Sequence, residues 1–383
     1  MVVSGIFKQF FESERAGGLV LMFCTVLSIL LTNLGVTAYV DFWNIEFAGH
    51  TLVHWTNDGL MVIFFLMIGL ELEREIYNGE LSNLRSAMLP IFAALGGMLV
   101  PAGIYLLINS TAEGGDTAGA GIPMATDIAF ALGALSLLGN RVPLSLKVFL
   151  TGLAVIDDLG AILVIAIFYT DTLNWVNLGA ALGIFAFLLL LNRLKVWNMI
   201  PYLIGGVFMW YFMLSSGVHA TITGVLLAFA MPFAAGDETS PSNKLETFLH
   251  RPVAFIILPI FALANTCILI NAEAIEGLSG PVALGIMAGL LLGKPIGISL
   301  FTLLATKLGI ARLAPELRGI HIFGTGLLGG IGFTMSIFIT LLAFSDPGVI
   351  DVAKLAIVGI SLVSGILGYI MLDRTLKEKA PTH

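Results

Sequence analysis

The chain has 383 residues, of which 58% are hydrophobic and 11% charged, and its formal net charge at neutral pH is −7. A soluble globule of this composition would be left with an apolar exterior, so the chain reads as a polytopic membrane protein. No basic patch with interleaved aromatics suggests a nucleic-acid partner, and Cys24 and Cys267 lie in apolar segments without metal-ligand or disulfide spacing, so no cofactor is expected.

In chain order, Lys8 and Arg15 precede a first apolar stretch, Leu19 to Leu31. No small-residue cleavage pattern follows it, so it reads as a retained span and not a signal peptide. Segments able to cross a bilayer fall at approximately 17–33, 55–77, 87–109, 118–138, 145–169, 175–192, 199–213, 216–233, 251–270, 281–305, 319–344 and 353–373, about twelve in all. Numbering the loops alternately puts Lys8, Arg15, Arg74, Arg85, Arg141, Lys147, Arg193, Lys195, Lys244, Arg251, Lys307, Arg312, Arg318, Arg374, Lys377 and Lys379 on one side. The other side receives Lys354 alone, which predicts cytoplasmic termini and supports the span count, since a missed span would scramble the alternation. The opposite loops carry acids, among them Asp41, Glu46, Asp171, Glu273 and Asp346, and read as a solvated outer face. The inner loop from Ala234 to Arg251 is polar and mixed in charge, a candidate regulatory segment.

At the end of the second span, Glu71, Arg74 and Glu75 are three and four apart and share one helix face, for which the plain reading is a solvated salt-bridge ladder. The fourth span breaks its aliphatic pattern at Ile122-Pro123-Met124-Ala125-Thr126-Asp127. In the fifth, Asp157 and Asp158 sit side by side in an otherwise apolar run. A carboxylate at the centre of a transmembrane helix costs about 2.5–3.5 kcal/mol on insertion scales, so the pair needs a compensating function, most simply holding a cation. His219 begins the eighth span and reads as a satisfied polar contact; Glu246 and His250, four apart, stand at the entrance to the ninth. Lys294 falls near the middle of the tenth, directly before Pro295, and either snorkels to an interface or pairs with a carboxylate. The eleventh span is interrupted by Gly324, Gly326, Gly329, Gly330 and Gly332, a density that favours extended backbone at membrane depth, tolerated where protein buries it or it lines a cavity.

The two irregular spans are the middle members of two three-span groups, residues 87–169 and 281–373, separated by an odd number of spans. The groups therefore enter the membrane from opposite sides, as an inverted repeat, within one transmembrane domain covering 1–383. Asp127, Asp157, Asp158 and Lys294 leave an excess negative charge in low dielectric, to be relieved by protons, a metal cation or helix ends. Protons and a hard cation such as Na+, Li+ or Ca2+ then become alternatives at one site, a physical basis for exchange. Asp127 also reads as the cap of a half-helix beginning at Ile128.

Four strings carry a resemblance over the whole chain: Ala125-Thr126-Asp127-Ile128-Ala129-Phe130-Ala131-Leu132-Gly133, Ile156-Asp157-Asp158-Leu159-Gly160-Ala161, Gly293-Lys294-Pro295-Ile296-Gly297-Ile298, and Gly330 through Phe338. In this order the chain resembles the NhaA family of bacterial sodium/proton antiporters, which are inverted-repeat transporters. The resemblance implies an all-helical inner-membrane protein of about twelve spans with a broken helix in each repeat. It would exchange Na+ or Li+ for a larger number of protons and be activated at alkaline pH. Asp158 is implied as sodium ligand and proton carrier, Asp157 as the other central carboxylate, paired with Lys294 in one state, and Thr126 and Asp127 as residues of the crossing. Glu71, Arg74, Glu75, Glu246 and His250 fall on positions of the family's pH response, and His219 and Gly332 on positions that shift it. Two departures stand out: Thr247 follows Glu246 where the best-known pattern has a histidine, and the outer loop from Asn33 to Asp58 is shorter than the family's dimerising hairpin, with Phe42 to His50 left to supply a strand for a homodimer. A cation channel and an intramembrane aspartic protease are the rival classes, the latter weakened by the adjacency of the two aspartates and the lack of a Gly-x-Gly-Asp string. The chain is otherwise not read as an enzyme.

Overall fold

The computed structural model describes residues 2–170, 172–234 and 239–376. Of the charges named above, Asp171, Lys377 and Lys379 lie outside these residues, as do the side chains of Lys8, Arg15 and Arg85. The fold is helical apart from one short hairpin. Among the described residues, eight helices are long and apolar enough to cross a membrane, and the bent pair Gly319–Gly329 and Phe333–Ala343 makes a ninth span. The remaining expected spans coincide with shorter or interrupted pieces, Trp55–Leu60 running into Met61–Tyr77, Ile200–Leu214 and Ile222–Ala230.

Two compact units form, the first from the described residues of Met1–Ile29, Asn83–Ala161 and Ile268–His383. Its centre is the packing of Leu84–Thr111 against Lys294–Lys307. The two backbones touch there. A Cβ on Gly297 would stand 2.1 Å from the Gly96 carbonyl oxygen, and one on Gly96 would stand 2.2 Å from that of Gly297, so only glycine permits the approach. Just before this helix the chain widens into a π turn, Gly289–Gly293, with the Lys294 N–H donating to the Gly289 carbonyl. Pro295 explains the widening. It has no N–H to continue the α pattern and its ring crowds the preceding turn, so one residue is looped out and Lys294 is re-aimed inward.

The second unit comprises Leu30–Ser82 and the described residues of Ile162–Cys267. In it Met61–Tyr77 packs on Ile222–Ala230 and on Pro241–Pro252. Asn57 and Asn265 exchange amide hydrogen bonds of 3.2 and 2.8 Å, which satisfies two polar groups inside the unit. A strand was expected within Phe42 to His50. The structure has two short strands, Glu46–Phe47 and His50–Thr51, paired antiparallel through a turn with positive φ at Ala48 and Gly49, as tight hairpins require.

One boundary needs correction. The polar segment before the ninth span, read as a loop to Arg251, is helical from Pro241, and the helix continues through a π turn to Asn265. Ser240 caps it, accepting from the Asn243 N–H at 3.4 Å, and Pro241 occupies the first turn. Hydropathy hid this amphipathic start, although Ser-Pro is itself a helix-start signal.

Candidate functional site

The fourth and eleventh spans both break, as their composition requires. Thr117–Met124 is a 3-10 helix, Ala125 and Asp127 are extended, and an α-helix resumes at Ile128–Ser136. In the partner span the halves Gly319–Gly329 and Phe333–Ala343 meet at 51°. The breaks are hydrogen-bonded to one another: the Asp127 N–H donates to the Ile331 carbonyl at 2.6 Å. Backbone groups freed by the interruption are thereby satisfied inside the protein.

Asp127 caps two helices with one carboxylate. Its Oδ1 accepts from the Phe130 N–H at 3.1 Å, while Oδ2 accepts from the Thr334 N–H at 3.1 Å and from the Thr334 hydroxyl. Both half-helix N-termini, each bearing partial positive charge, thus face the same anion. Ser361, from the last helix Pro347–Thr375, supports the second terminus by accepting from the N–H groups of Gly332 and Phe333 at 3.2 and 3.3 Å. Gly332 sits in the break, where a Cβ would fall 2.1 Å from Ser336 Oγ. The Ser336 hydroxyl is already committed, donating to the Ile122 carbonyl at 2.7 Å.

Beside this crossing lies the lysine. Lys294 and Asp157 are both fully buried and form an ion pair through Asp157 Oδ2. Snorkelling is therefore excluded. Lys294 Nζ also donates to Thr126 Oγ1 at 2.8 Å, and that hydroxyl lies 2.7 Å from Asp157 Oδ2 and 2.9 Å from the Gly329 carbonyl. Gly329 ends its half-helix, so its carbonyl carries the partial negative charge of a C-terminus. Asp157 Oδ1 accepts no hydrogen bond among the described residues. Asp158 is 3% exposed and follows Asp157 on Leu144–Phe168. A helical step of about 100° turns the two carboxylates in different directions, which gives Lys294 to Asp157.

In the second unit the expected salt-bridge ladder is closed by another helix. Arg74 Nε stands 2.8 Å from Glu246 Oε1, and its Nη2 stands 3.7 and 3.5 Å from Oε1 of Glu71 and Glu75. The carboxylate side chains are only 13, 12 and 18% exposed for Glu71, Glu75 and Glu246, so the plain reading of a solvated ladder fails. His250 follows Glu246 by one turn on the same helix. Thr247 is exposed and donates to the Asn243 carbonyl of its own helix at 2.8 Å. His219 differs from its reading as a satisfied contact. It lies in the irregular stretch before Ile222–Ala230, and its buried Nε2 has no hydrogen-bond partner among the described residues.

Sequence reasoning left Thr334, Ser361 and Glu73 without roles. Hydroxyl residues inside apolar spans were the available signal for Thr334 and Ser361. For Glu73, which accepts from the Ser242 hydroxyl at 3.0 Å, the signal was its place opposite the ladder, on the apolar face of its helix.

The family model for Na+/H+ antiporter 1 matches residues 8–372. Among relatives, an Na(+)/H(+) antiporter NhaA of Flavobacterium psychrophilum is 61% identical, covering 99% of this chain and 98% of the relative, and one of Cytophaga hutchinsonii is 56% identical over 99% and 97%. The solved sodium proton antiporter MjNhaP1 of Methanocaldococcus jannaschii has a TM-score of 0.55 at 15% identity, covering 98% of this chain and 99% of that one; this is a likeness of fold. With the broken spans, the buried Asp157–Lys294 pair and these full-length matches in hand, the chain belongs to the Na+/H+ antiporter 1 family, a family of transporters.

Proposed function

We propose that this chain is an electrogenic Na+/H+ antiporter of the bacterial inner membrane, with both termini cytoplasmic, that expels Na+ or Li+ against a larger inward flow of protons. The observation that carries the reading is the fully buried group of Asp157, Thr126 and Lys294 at the crossing of two broken spans, with Asp158 one residue along the same helix. The names of the relatives support it.

The charges can be assigned one by one. Two helix N-termini offset Asp127, and Lys294 offsets Asp157. Asp158, buried one residue along the same helix, is the carboxylate assigned to the exchanged ion. Na+ and a proton are alternatives there, so loading one displaces the other, and exchange follows when the site faces the two sides in turn. Among the described residues no three His, Cys, Asp or Glu side chains are placed to hold a metal ion, so Na+ at Asp158 draws its other oxygens from hydroxyls, carbonyls or water. The additional proton travels on the Lys294–Asp157 pair as it opens and re-forms. The same reading takes the chain as one domain of about twelve spans, with residues 87–169 and 281–373 as inverted repeats whose broken members form the crossing.

Activation at alkaline pH is assigned to Glu71, Arg74, Glu75, Glu246 and His250, with His219 and Gly332 tuning it. Three carboxylates around one guanidinium form a group whose net charge follows pH, and it ties two helices of its unit together. The exposed edge of the hairpin Glu46–Thr51 is assigned as the contact with a second copy; a monomer by native mass spectrometry in mild detergent removes that assignment.

The test is Asp158→Asn in everted vesicles. Na+-driven proton movement should vanish while the protein reaches the membrane at wild-type amounts, and wild-type exchange by this variant refutes the site. Na+ flux in the parent protein without proton countermovement would mark a channel instead.

A further inference from the structure

Away from the ion site, the first unit leaves an open groove of about 510 Å³ where Gly319–Gly329, Pro347–Thr375 and the π turn Gly289–Gly293 come together. Its walls are apolar, with Leu292, Phe323, Leu327, Leu367 and Ile370 among them. Leu292 and Leu367 are 53% and 44% exposed, so in a membrane the groove opens onto acyl chains. Its inner wall is firm, because the Leu327 carbonyl accepts from the Ser364 hydroxyl at 2.8 Å.

One end of the groove is charged. Arg374, in the last turn of its helix, and Thr375 line that end, and Arg318 Nη2 donates to the Thr375 carbonyl at 3.2 Å. Asp373 is the neighbouring carboxylate, and Arg141 occupies it. Among the described residues neither Arg318 nor Arg374 meets a carboxylate, so two exposed guanidinia stand at the mouth of an apolar slot. His321, beside Arg318, accepts the Arg318 N–H on Nδ1 at 3.2 Å, which makes it a neutral acceptor and not a third cation.

We propose that this groove binds one anionic phospholipid. An acyl chain lies along Leu292, Phe323 and Leu367, and the headgroup phosphate is held by Arg318 and Arg374. Guanidinia suit phosphate oxygens through paired N–H donors, and basic pockets between membrane helices are established sites for anionic headgroups. A free phosphate shares the headgroup's chemistry and a zwitterionic lipid shares its tails, so both must be compared with the anionic lipid.

The experiment uses the full chain, delipidated in detergent, with lipid binding followed by native mass spectrometry. Phosphatidylglycerol should bind at stoichiometry one and raise the melting midpoint, whereas phosphatidylcholine and inorganic phosphate should do neither. Arg318→Gln with Arg374→Gln should weaken phosphatidylglycerol about thirtyfold, taking each surface cation at about 1 kcal/mol. Leu367→Trp fills the slot, leaves both guanidinia in place and should also weaken binding. Equal affinity for phosphatidylcholine, the same midpoint shift from phosphate alone, or unchanged binding in either variant would overturn the proposal.

Discussion

Replacing Lys294 by Met removes the cation facing Asp157. Both side chains are fully buried, so water cannot take over the lost interaction. Breaking a buried ion pair from one side costs about 3–5 kcal/mol, because the surviving charge stays desolvated and uncompensated. Asp157→Asn poses the converse problem, leaving the buried ammonium without its counter-charge. Replacing both partners removes both charges, which is often near neutral for a buried pair. Two single losses of about 3–5 kcal/mol against a near-neutral double variant give a coupling energy of about 6–10 kcal/mol. Equilibrium unfolding in mixed micelles reads all four corners of this cycle. The Lys294→Met penalty should also shrink as pH falls, since protonated Asp157 carries no charge to strand. Single losses that add to within about 0.5 kcal/mol would refute the reasoning, because additivity means that Lys294 and Asp157 do not compensate each other.

Ser361→Ala removes the hydroxyl that accepts from Gly332 and Phe333 at the start of the second half-helix, and should cost about 1 kcal/mol in the same assay, with undiminished stability counting against the capping role. Glu246→Gln keeps the shape of the Arg74 cluster but removes one negative neighbour from Glu71 and Glu75. The cluster loses one negative charge, so the pH profile of exchange should shift with its maximal rate retained; an unchanged pH profile in vesicles removes this cluster from the pH response.

How much of this was legible depended on whether a residue advertises its partner. Asp157, Lys294 and the two breaks were visible because charge, proline and clustered glycine are costly in a bilayer and so announce a constraint. Their mutual geometry was not. Nothing in the spacing of Asp127 shows that its carboxylate serves a second helix, beginning at Phe333, because a cap is recognisable in sequence only when its own helix follows it. The Glu71–Arg74–Glu75 face was equally visible, but its burial came from Glu246, far along the chain, and periodicity reports a helix's own face without reporting what covers it. The start at Pro241 was missed for the opposite reason: hydropathy discounts a polar helix even when its cap is spelled out.

The arrangement of charge around the crossing follows the polarity of the half-helices. Asp127 stands where two N-termini converge, and the ammonium of Lys294 reaches a hydroxyl that bonds to the C-terminal carbonyl of Gly329. Thr126 is the joint between these elements. Its oxygen accepts from Lys294, and its one proton has two acceptors within 3 Å, the Gly329 carbonyl and the Asp157 carboxylate. A proton or ion that neutralises Asp157 weakens that acceptor and turns the hydroxyl toward Gly329. Return of Asp157 to its ionised form draws it back. A change of charge on Leu144–Phe168 is thereby converted into a change of hydrogen bonding at the end of Gly319–Gly329, the half-helix whose neighbour already bends away by 51°. Valine at position 126 preserves the volume and removes the joint. The ion pair would remain buried in that variant, but the link between its charge state and the broken helix would be cut.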